Sequence, residues 1–490
     1  MTHPSSPASS PSAASALASA LASALASALA CAFLLPSCAP RTLAPLGEAV
    51  VVVDTDLPVP LVASALRVDL YDSGGVWLES RDIVLRDPRD WPASFSVQAA
   101  DALRERDLLV RVRVHGGRMR DVVGGARLIV NGADVTPASE PEPALAVDRL
   151  LLVRLRPGER GRAIVVAHAS CAGSAPQLDP GARASCIEGE GTLEPLPIAS
   201  LDPDLSTPTR SVAGSAASSA CRSPSDVSLC VDGGAFVIGA DDVQVVPDPT
   251  LPLAPERIAR VHSFKMDRDE VTVGDLRAAI AHGFVPPDPV GMTEGDLGAT
   301  ADTSCSFSTA PRGRENFAAS CITWRTAHAY CMRFDNGGDL PTEAQWEYAA
   351  TSAARTGKST FPWGDDGPDC TRAVYGRLPL AGLPGACEKE SGAGPLPVTM
   401  AGAPIAPGDV SATKIRGLGG GVAEWTRDTP APYDAPCWRA IDASCKDPTT
   451  DAHVVRGGAW ASTAINVRST SRLASRKATS FIGFRCVHPG

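Results

Sequence analysis

Cysteine places the tightest limit on what this chain can fold into. Fourteen occur in 490 residues. Cys31 and Cys38 fall in an N-terminal segment treated below, and the twelve beyond it are an even number. Four sets lie close in sequence: Cys171/Cys186, Cys221/Cys230, Cys370/Cys387 and Cys437/Cys445; Cys305, Cys321, Cys331 and Cys486 remain. No two cysteines stand in C-x-x-C spacing, so zinc-ribbon and thioredoxin-like chemistry have no support. Disulfides persist outside the cytosol. The pattern therefore predicts an exported, cross-braced, loop-rich fold in which the local pairs bridge first, with the full connectivity open. Glycine (44) and proline (43) are abundant and aromatics make up only 5% of the chain, which also favours loops and short elements.

Residues 15–35 are almost all Ala, Leu and Ser, ending in Phe33-Leu34-Leu35 and followed by Pro36-Ser37-Cys38. An apolar stretch with a small residue before a cysteine reads as a signal peptide over 1–38 with a lipobox-like end. Cys38 is then the lipidation site; Cys31 is a second candidate. Pro36, and the absence of Lys or Arg from residues 1–30, depart from that pattern, and plain secretion or an Ala-rich membrane helix are the alternatives. The expected location is the bacterial cell envelope, lipid-anchored or secreted, with the membrane contacted through the anchor. Beyond this segment no run reaches the ~18 apolar residues a spanning helix needs. The net charge of −10, without a long basic run, speaks against a nucleic-acid partner.

The length fits about two to three domains. Over 39–200 short apolar runs alternate with turns, as in Arg111-Val-Arg-Val114, Leu151–Arg154, Gly116-Gly117 and Asn131-Gly132. This predicts an all-β sandwich. Asp54, Asp56, Asp69 and Asp72 are read as strand-end and loop carboxylates rather than calcium ligands. Residues 201–229, rich in Ser, Pro, Thr and Ala, are expected to be a flexible linker. The second domain is placed at 230–490. In it Thr272 with Asp275, and Thr342 with Gln345, have capping-box spacing. Trp324, Ala327, Cys331 and Phe334 recur at helical spacing, as do Trp346, Ala349, Ala350 and Ala353.

Several segments of this second domain occur together in one known family: Gly233-Gly-Ala-Phe-Val-Ile-Gly239, Phe264-Lys-Met-Asp-Arg-Asp-Glu-Val-Thr272, Ile322-Thr-Trp324, Leu340-Pro-Thr-Glu-Ala-Gln-Trp-Glu-Tyr348, Phe361-Pro-Trp-Gly364, Gly421-Val-Ala-Glu-Trp-Thr426, Val455-Arg-Gly-Gly-Ala-Trp460 and Ile482-Gly-Phe-Arg-Cys486. In this order they resemble the formylglycine-generating enzyme, or sulfatase-modifying factor, superfamily over about 231–488. The resemblance implies a multidomain chain whose C-terminal part is an irregular α+β fold related to C-type lectins. It also implies copper held by two cysteines, oxidising a substrate cysteine with O₂, because Cu(I) requires soft thiolate ligands. Here Ser462 and Val467, within the stretch from Ser462 to Arg468, stand where those cysteines belong. No catalytic residue is therefore assigned and copper is not expected. Cys437 and Cys445 lie in another loop and are read as a disulfide.

A second enzymatic branch of the superfamily uses a His-x-x-x-His-x-Glu motif that this sequence lacks; His115, His168, His262, His282, His328, His453 and His488 are scattered singly. The resemblance also implies a structural calcium at the Gly-Asn-x-x-Glu-Trp segment. Glu424 is kept and Gly421 replaces the asparagine, which leaves calcium and a purely structural Glu424 as open alternatives. Arg456 and Arg485 are expected to tie loops together through carboxylates. Arg468, Arg472, Arg476 and Lys477 read as a solvated face, with an anion-binding surface as the alternative. The leading functional reading is a catalytically inactive module that binds a protein, peptide or glycan. The alternative is a divergent sulfatase-modifying factor or metal-dependent oxidoreductase acting on a sulfur-containing substrate.

Overall fold

Apolar runs with polar ends become two facing sheets in the N-terminal half. The structure is a computed structural model that describes residues 46–490 apart from 100–103, 209, 223, 244–247, 291–304, 309–310, 312, 334–336, 380–384 and 401. The expected leader and Cys38 lie outside the described residues. Strand Glu48–Thr55 is central in a three-stranded sheet, parallel to Arg160–Ala167 and antiparallel to Ala93–Gln98. A four-stranded antiparallel sheet runs Ala146–Leu155, Arg106–His115, Ala65–Asp72, Trp77–Val84. Val51, Val53, Leu66, Val110, Val112, Val147 and Val153 from both sheets meet in one buried apolar cluster.

The aspartates of this half hold the backbone together. Asp54 accepts from Ser211 Oγ at 2.5 Å and Val212 N at 2.8 Å, and Asp56 from Ala169 N at 2.7 Å. Asp69 pairs with Arg67 and Arg113, and Asp72 closes the turn through Gly74 N and Val76 N.

These contacts also change the reading of 201–229. Its polar composition suggests a loose linker, yet its first half is laid against the sheets. Arg162 and Asp202 exchange both backbone hydrogen bonds, Gly214 N donates to Leu57 O, and Ala216 N donates to Asp56 O. Ala216 is buried in the apolar cluster. The buried Asp54 carboxylate and the strand-edge carbonyls need partners, and this segment supplies them. Ala235 and Ile258, from the hairpin Gly234–Ile238/Arg257–Val261, belong to the same cluster, and Arg118 pairs with Glu256 at 2.6 Å.

The C-terminal half is mostly loop around short elements. Its largest sheet has the order Arg472–Ser475, His453–Arg456, Ala423–Trp425, Ile482–Gly483. A second sheet joins Ser228–Val231, Phe264–Asp267 and Val487–Pro489, bringing the last residues back beside the first. Among the described residues its helices are Val273–Ala281, Trp324–Arg333 and Glu343–Thr351, with a four-residue turn of helix at Glu388–Ser391. Both expected capping boxes form, Thr272 with Asp275 and Thr342 with Gln345. Ala327 and Cys331 are buried as expected, whereas Trp324 is only partly covered and donates Nε1 to Thr426 O at 2.7 Å; Phe334 lies outside the described residues.

All twelve cysteines from Cys171 onward are paired. The four local pairs bridge as expected, and Cys305–Cys321 and Cys331–Cys486 complete the set. The bridges fit an oxidising extracellular or envelope compartment. Among the described residues no helix is long and apolar enough to cross a membrane.

Candidate functional site

Helix Glu343–Thr351 organises the site from within. Periodicity gives it one apolar face, but it is buried nearly all round, including Glu343 and Glu347 at 0% exposure. Two wholly enclosed carboxylates require cations and hydrogen-bond donors. Arg456 donates to Glu347 Oε2 and to Glu343 Oε1 (3.3 Å), and Arg472 Nη2 donates to Glu343 Oε2 at 2.7 Å. Lys358 Nζ lies 3.2 Å from Glu347 Oε1, Gly239 N donates to that same oxygen at 2.9 Å, and Tyr433 OH donates to Glu343 Oε1. Arg456 thus ties the strand to the helix, as expected. Arg472 does not share a surface with Arg468 and Arg476. It sits in a strand and is fully buried, while Arg468 pairs with Asp242 and Arg476 with Asp451 at the exterior.

Trp346 donates Nε1 to Glu424 Oε2 at 2.8 Å, and Arg485 grips the same carboxylate through Nε at 2.8 Å and Nη2 at 2.6 Å. Arg485 also donates to the carbonyls of Asp267, Arg268 and Arg416, so one guanidinium joins two further segments to the Glu424 strand. The Glu424 carboxylate is therefore committed to this clamp, and Gly421 offers no side-chain oxygen. Calcium takes about six to eight oxygens, so an ion here would rely chiefly on backbone carbonyls; among the described residues no three His, Cys, Asp or Glu are grouped to hold a metal.

Beyond strand His453–Arg456 the chain turns sharply at Gly457, with φ +82°, where an added Cβ would stand 2.7 Å from Leu418 O. Trp460 N donates to Gly421 O, and its Nε1 to Ser480 O at 3.0 Å. Ser462 folds back on this turn: its Oγ accepts from Ala459 N at 2.9 Å, while its own N–H donates to Ala459 O. A short 3-10 turn, Ala464–Val467, then buries Val467 against Phe361, Ala373, Tyr375 and Cys387. Cys387 is bridged to Cys370, so the sulfur near this position belongs to a disulfide. Cys437–Cys445 lies elsewhere, beside Tyr433 and Trp438. Ser462 and Val467 thus bracket the segment with one hydroxyl already used and one alkyl group packed away. A copper ion needing two thiolates does not fit this donor set.

Buried carboxyls that sequence reading passed over surround the site. Asp409 accepts from Gly419 N and Gly420 N, and Asp428 from Glu343 N and Cys445 N, both at 2.7 Å. Burial pushes both carboxyls up to about 7, and the nearby Glu343 adds to the effect on Asp428. Nothing local in the sequence distinguishes these aspartates from surface ones. A carboxyl that titrates higher folded than unfolded keeps its proton longer in the native state, so stability falls as pH rises between the two values. Unfolding free energy is therefore expected to decline from pH 5 to pH 8, by about 2–4 kcal/mol for each of the two groups. Chemical denaturation across that range tests this; a curve that stays level or rises would contradict it.

Residues 214–489 match the model of the sulfatase-modifying factor enzyme 1-like domain. Formylglycine-generating enzyme of Mus musculus is 28% identical over 162 residues, which is 28% of this chain and 42% of that protein. The chain thus spans less than half the length of that relative. PvdO from Pseudomonas aeruginosa is covered over 100% of its chain by 55% of this one, at TM-score 0.42 and 19% identity. Treponema denticola variable protein 1 gives 0.34 and 17%, covering 56% of this chain and 99% of its own.

Proposed function

From the premise that this chain belongs to the sulfatase-modifying factor enzyme 1-like family, we propose that it is an exported binding or scaffold module that has lost the family's oxidation chemistry. One observation carries the reading: Ser462 Oγ is engaged by Ala459 N, and Val467 is packed in the cluster of Phe361, Tyr375 and Cys387. Those are the positions where the resemblance puts two thiolates. The surrounding frame holds together without those groups, through the capped helix at Thr342, the Arg485–Glu424 clamp and the Gly457 turn. A frame without the reactive groups serves shape, and shape serves recognition of a protein, peptide or glycan. In this reading residues 39–200 form a β-sandwich unit that presents the family domain, and lipid on Cys38 holds the protein to the bacterial envelope.

Family membership, and the identity shared with formylglycine-generating enzyme, favour a second reading, a divergent enzyme acting on a sulfur-containing substrate. Metal analysis and oxygen uptake separate the two. Purified protein reconstituted with Cu(I) and dialysed is expected to retain far less than one equivalent. With a cysteine-containing peptide it should consume O₂ no faster than a protein-free control. One tightly held copper with peptide-dependent O₂ uptake would establish the enzyme instead.

A further inference from the structure

Behind the Gly417–Gly421 turn lies a cavity separate from the Ser462–Val467 segment. The space is small, with a volume of about 40 Å³, and it is partly open to solvent. Its walls are apolar, with Phe317, Leu396, Val398 and Ile405 among them, and Glu270 lies at its floor. Glu270 is 4% exposed, and its carboxyl takes a hydrogen bond from its own backbone N–H. The nearest cation is Arg485 Nη2 at 4.0 Å, and that guanidinium is already held by Glu424. The floor is kept open by backbone. A Cβ on Gly417 would stand 2.6 Å, and one on Gly421 2.8 Å, from the Glu270 oxygens, and both residues have positive φ. Any other residue there would cap the carboxylate.

The charges facing this chamber are unbalanced. Asp269, Glu270 and Asp409 line it against Arg416 alone, and the Glu424–Arg485 pair and Arg268 lie outside the lining. Asp409 is satisfied by the amides of Gly419 and Gly420, and Asp269 by Arg268, although one Asp269 oxygen stays without a hydrogen bond 3.6 Å from Arg416. Once ionised, Glu270 is the least compensated carboxylate of this set, its ion pair with Arg485 being 4.0 Å long. A buried carboxylate compensated only by a long ion pair is unfavourable, so the chamber is suited to a guest that brings one positive charge, hydrogen-bond donors and a slim apolar stem.

We propose that this chamber binds a primary ammonium group, with Glu270 as its counter-ion and the Phe317, Leu396 and Ile405 wall around the alkyl stem. Two sources carry that chemistry, a free alkylamine and the tip of a lysine side chain on a partner. Burial, reinforced by Glu424, holds the Glu270 carboxyl protonated well above the usual range while the chamber is empty. The guest competes with that proton, so the titration belongs at pH 8. The inference goes beyond the reading of Ser462 and Val467 and does not depend on it, since neither residue lines the chamber.

Calorimetric titration of the full chain with n-butylammonium and with Nα-acetyl-lysine methylamide provides the test, with sodium and tetramethylammonium at matched ionic strength as controls. Saturable 1:1 binding is expected for n-butylammonium, weakened at least about tenfold, the scale of one charge-assisted contact, by Glu270→Gln. Binding of the lysine derivative as well would identify a lysine-bearing partner; its failure alongside n-butylammonium binding would identify a free amine. Ile405→Trp fills the chamber from the wall and is expected to abolish binding with an unchanged thermal transition, which keeps the test decisive if Glu270→Gln misfolds. Absence of saturable binding, equal binding of tetramethylammonium or sodium, or binding that survives Ile405→Trp would each overturn the proposal.

Discussion

Replacing Cys331 and Cys486 together with alanine is expected to be the most damaging disulfide loss in the chain. The bridge joins residues separated by 155 positions, and it staples helix Trp324–Arg333 to the residue before the closing strand Val487–Pro489. In the chain-entropy account, a cross-link restricts the unfolded ensemble more as the closed loop grows, which gives about 5 kcal/mol for a loop of this length. Cys437–Cys445, with a separation of 8, should contribute only about 2–3 kcal/mol by the same relation. Both sulfurs of the long bridge are fully buried beside Tyr330, Phe484 and Leu340, so the variant also leaves poorly filled space. Guanidinium unfolding of the two double-alanine variants gives the comparison. If the Cys437/Cys445 variant were the less stable, loop length would not be what governs these bridges.

The two kinds of bridge also mark what the sequence discloses. Cys171/Cys186 and Cys370/Cys387 are close along the chain, and proximity alone suggests their pairing. Nothing near Cys331 points to Cys486, because that contact exists only after the final strand has returned beside Phe264–Asp267. The same division runs through the rest of the fold. Thr342 with Gln345 is a local device, and its capping box is legible from spacing. The burial of the whole helix behind it is a tertiary event, and periodicity misses Glu343 and Glu347 because they read as a polar face. The Ser- and Pro-rich stretch after 200 reads as loose, since composition does not reveal that Asp54 and the sheet edge lack partners until it arrives. At the candidate site, the absence of cysteine at 462 and 467 is plain in the sequence. That Ser462 is hydrogen-bonded and Val467 packed is not, and neither is the chamber over Glu270, whose walls come from segments more than a hundred residues apart.

Glu343→Ala is expected to destabilise the chain by about 3–5 kcal/mol, the cost of leaving buried charge uncompensated. Glu343 stands between two guanidiniums that are both fully enclosed, Arg456 and Arg472, and both are fixed further by carbonyls of Ser469, Thr470, Pro252 and Ala431. Neither arginine can follow the lost carboxylate or reach water. Glu347 cannot serve both, because it already takes Arg456 Nη2, Lys358 and Gly239 N. The penalty should therefore lie chiefly in Arg472, which loses its sole carboxylate among the described residues. Adding Arg472→Met to Glu343→Ala removes the stranded charge and keeps an apolar stem over Tyr433, whose ring lies 4.2 Å from the guanidinium carbon. That double variant is expected to recover part of the loss, giving a favourable coupling of about 1–3 kcal/mol between the two sites. Additive losses in a denaturation cycle would mean that helix Glu343–Thr351 is held by packing alone. A recovered double variant would show that this charge network sets how the helix sits under the Gly457 turn, and through it the shape of the Ser462–Val467 segment.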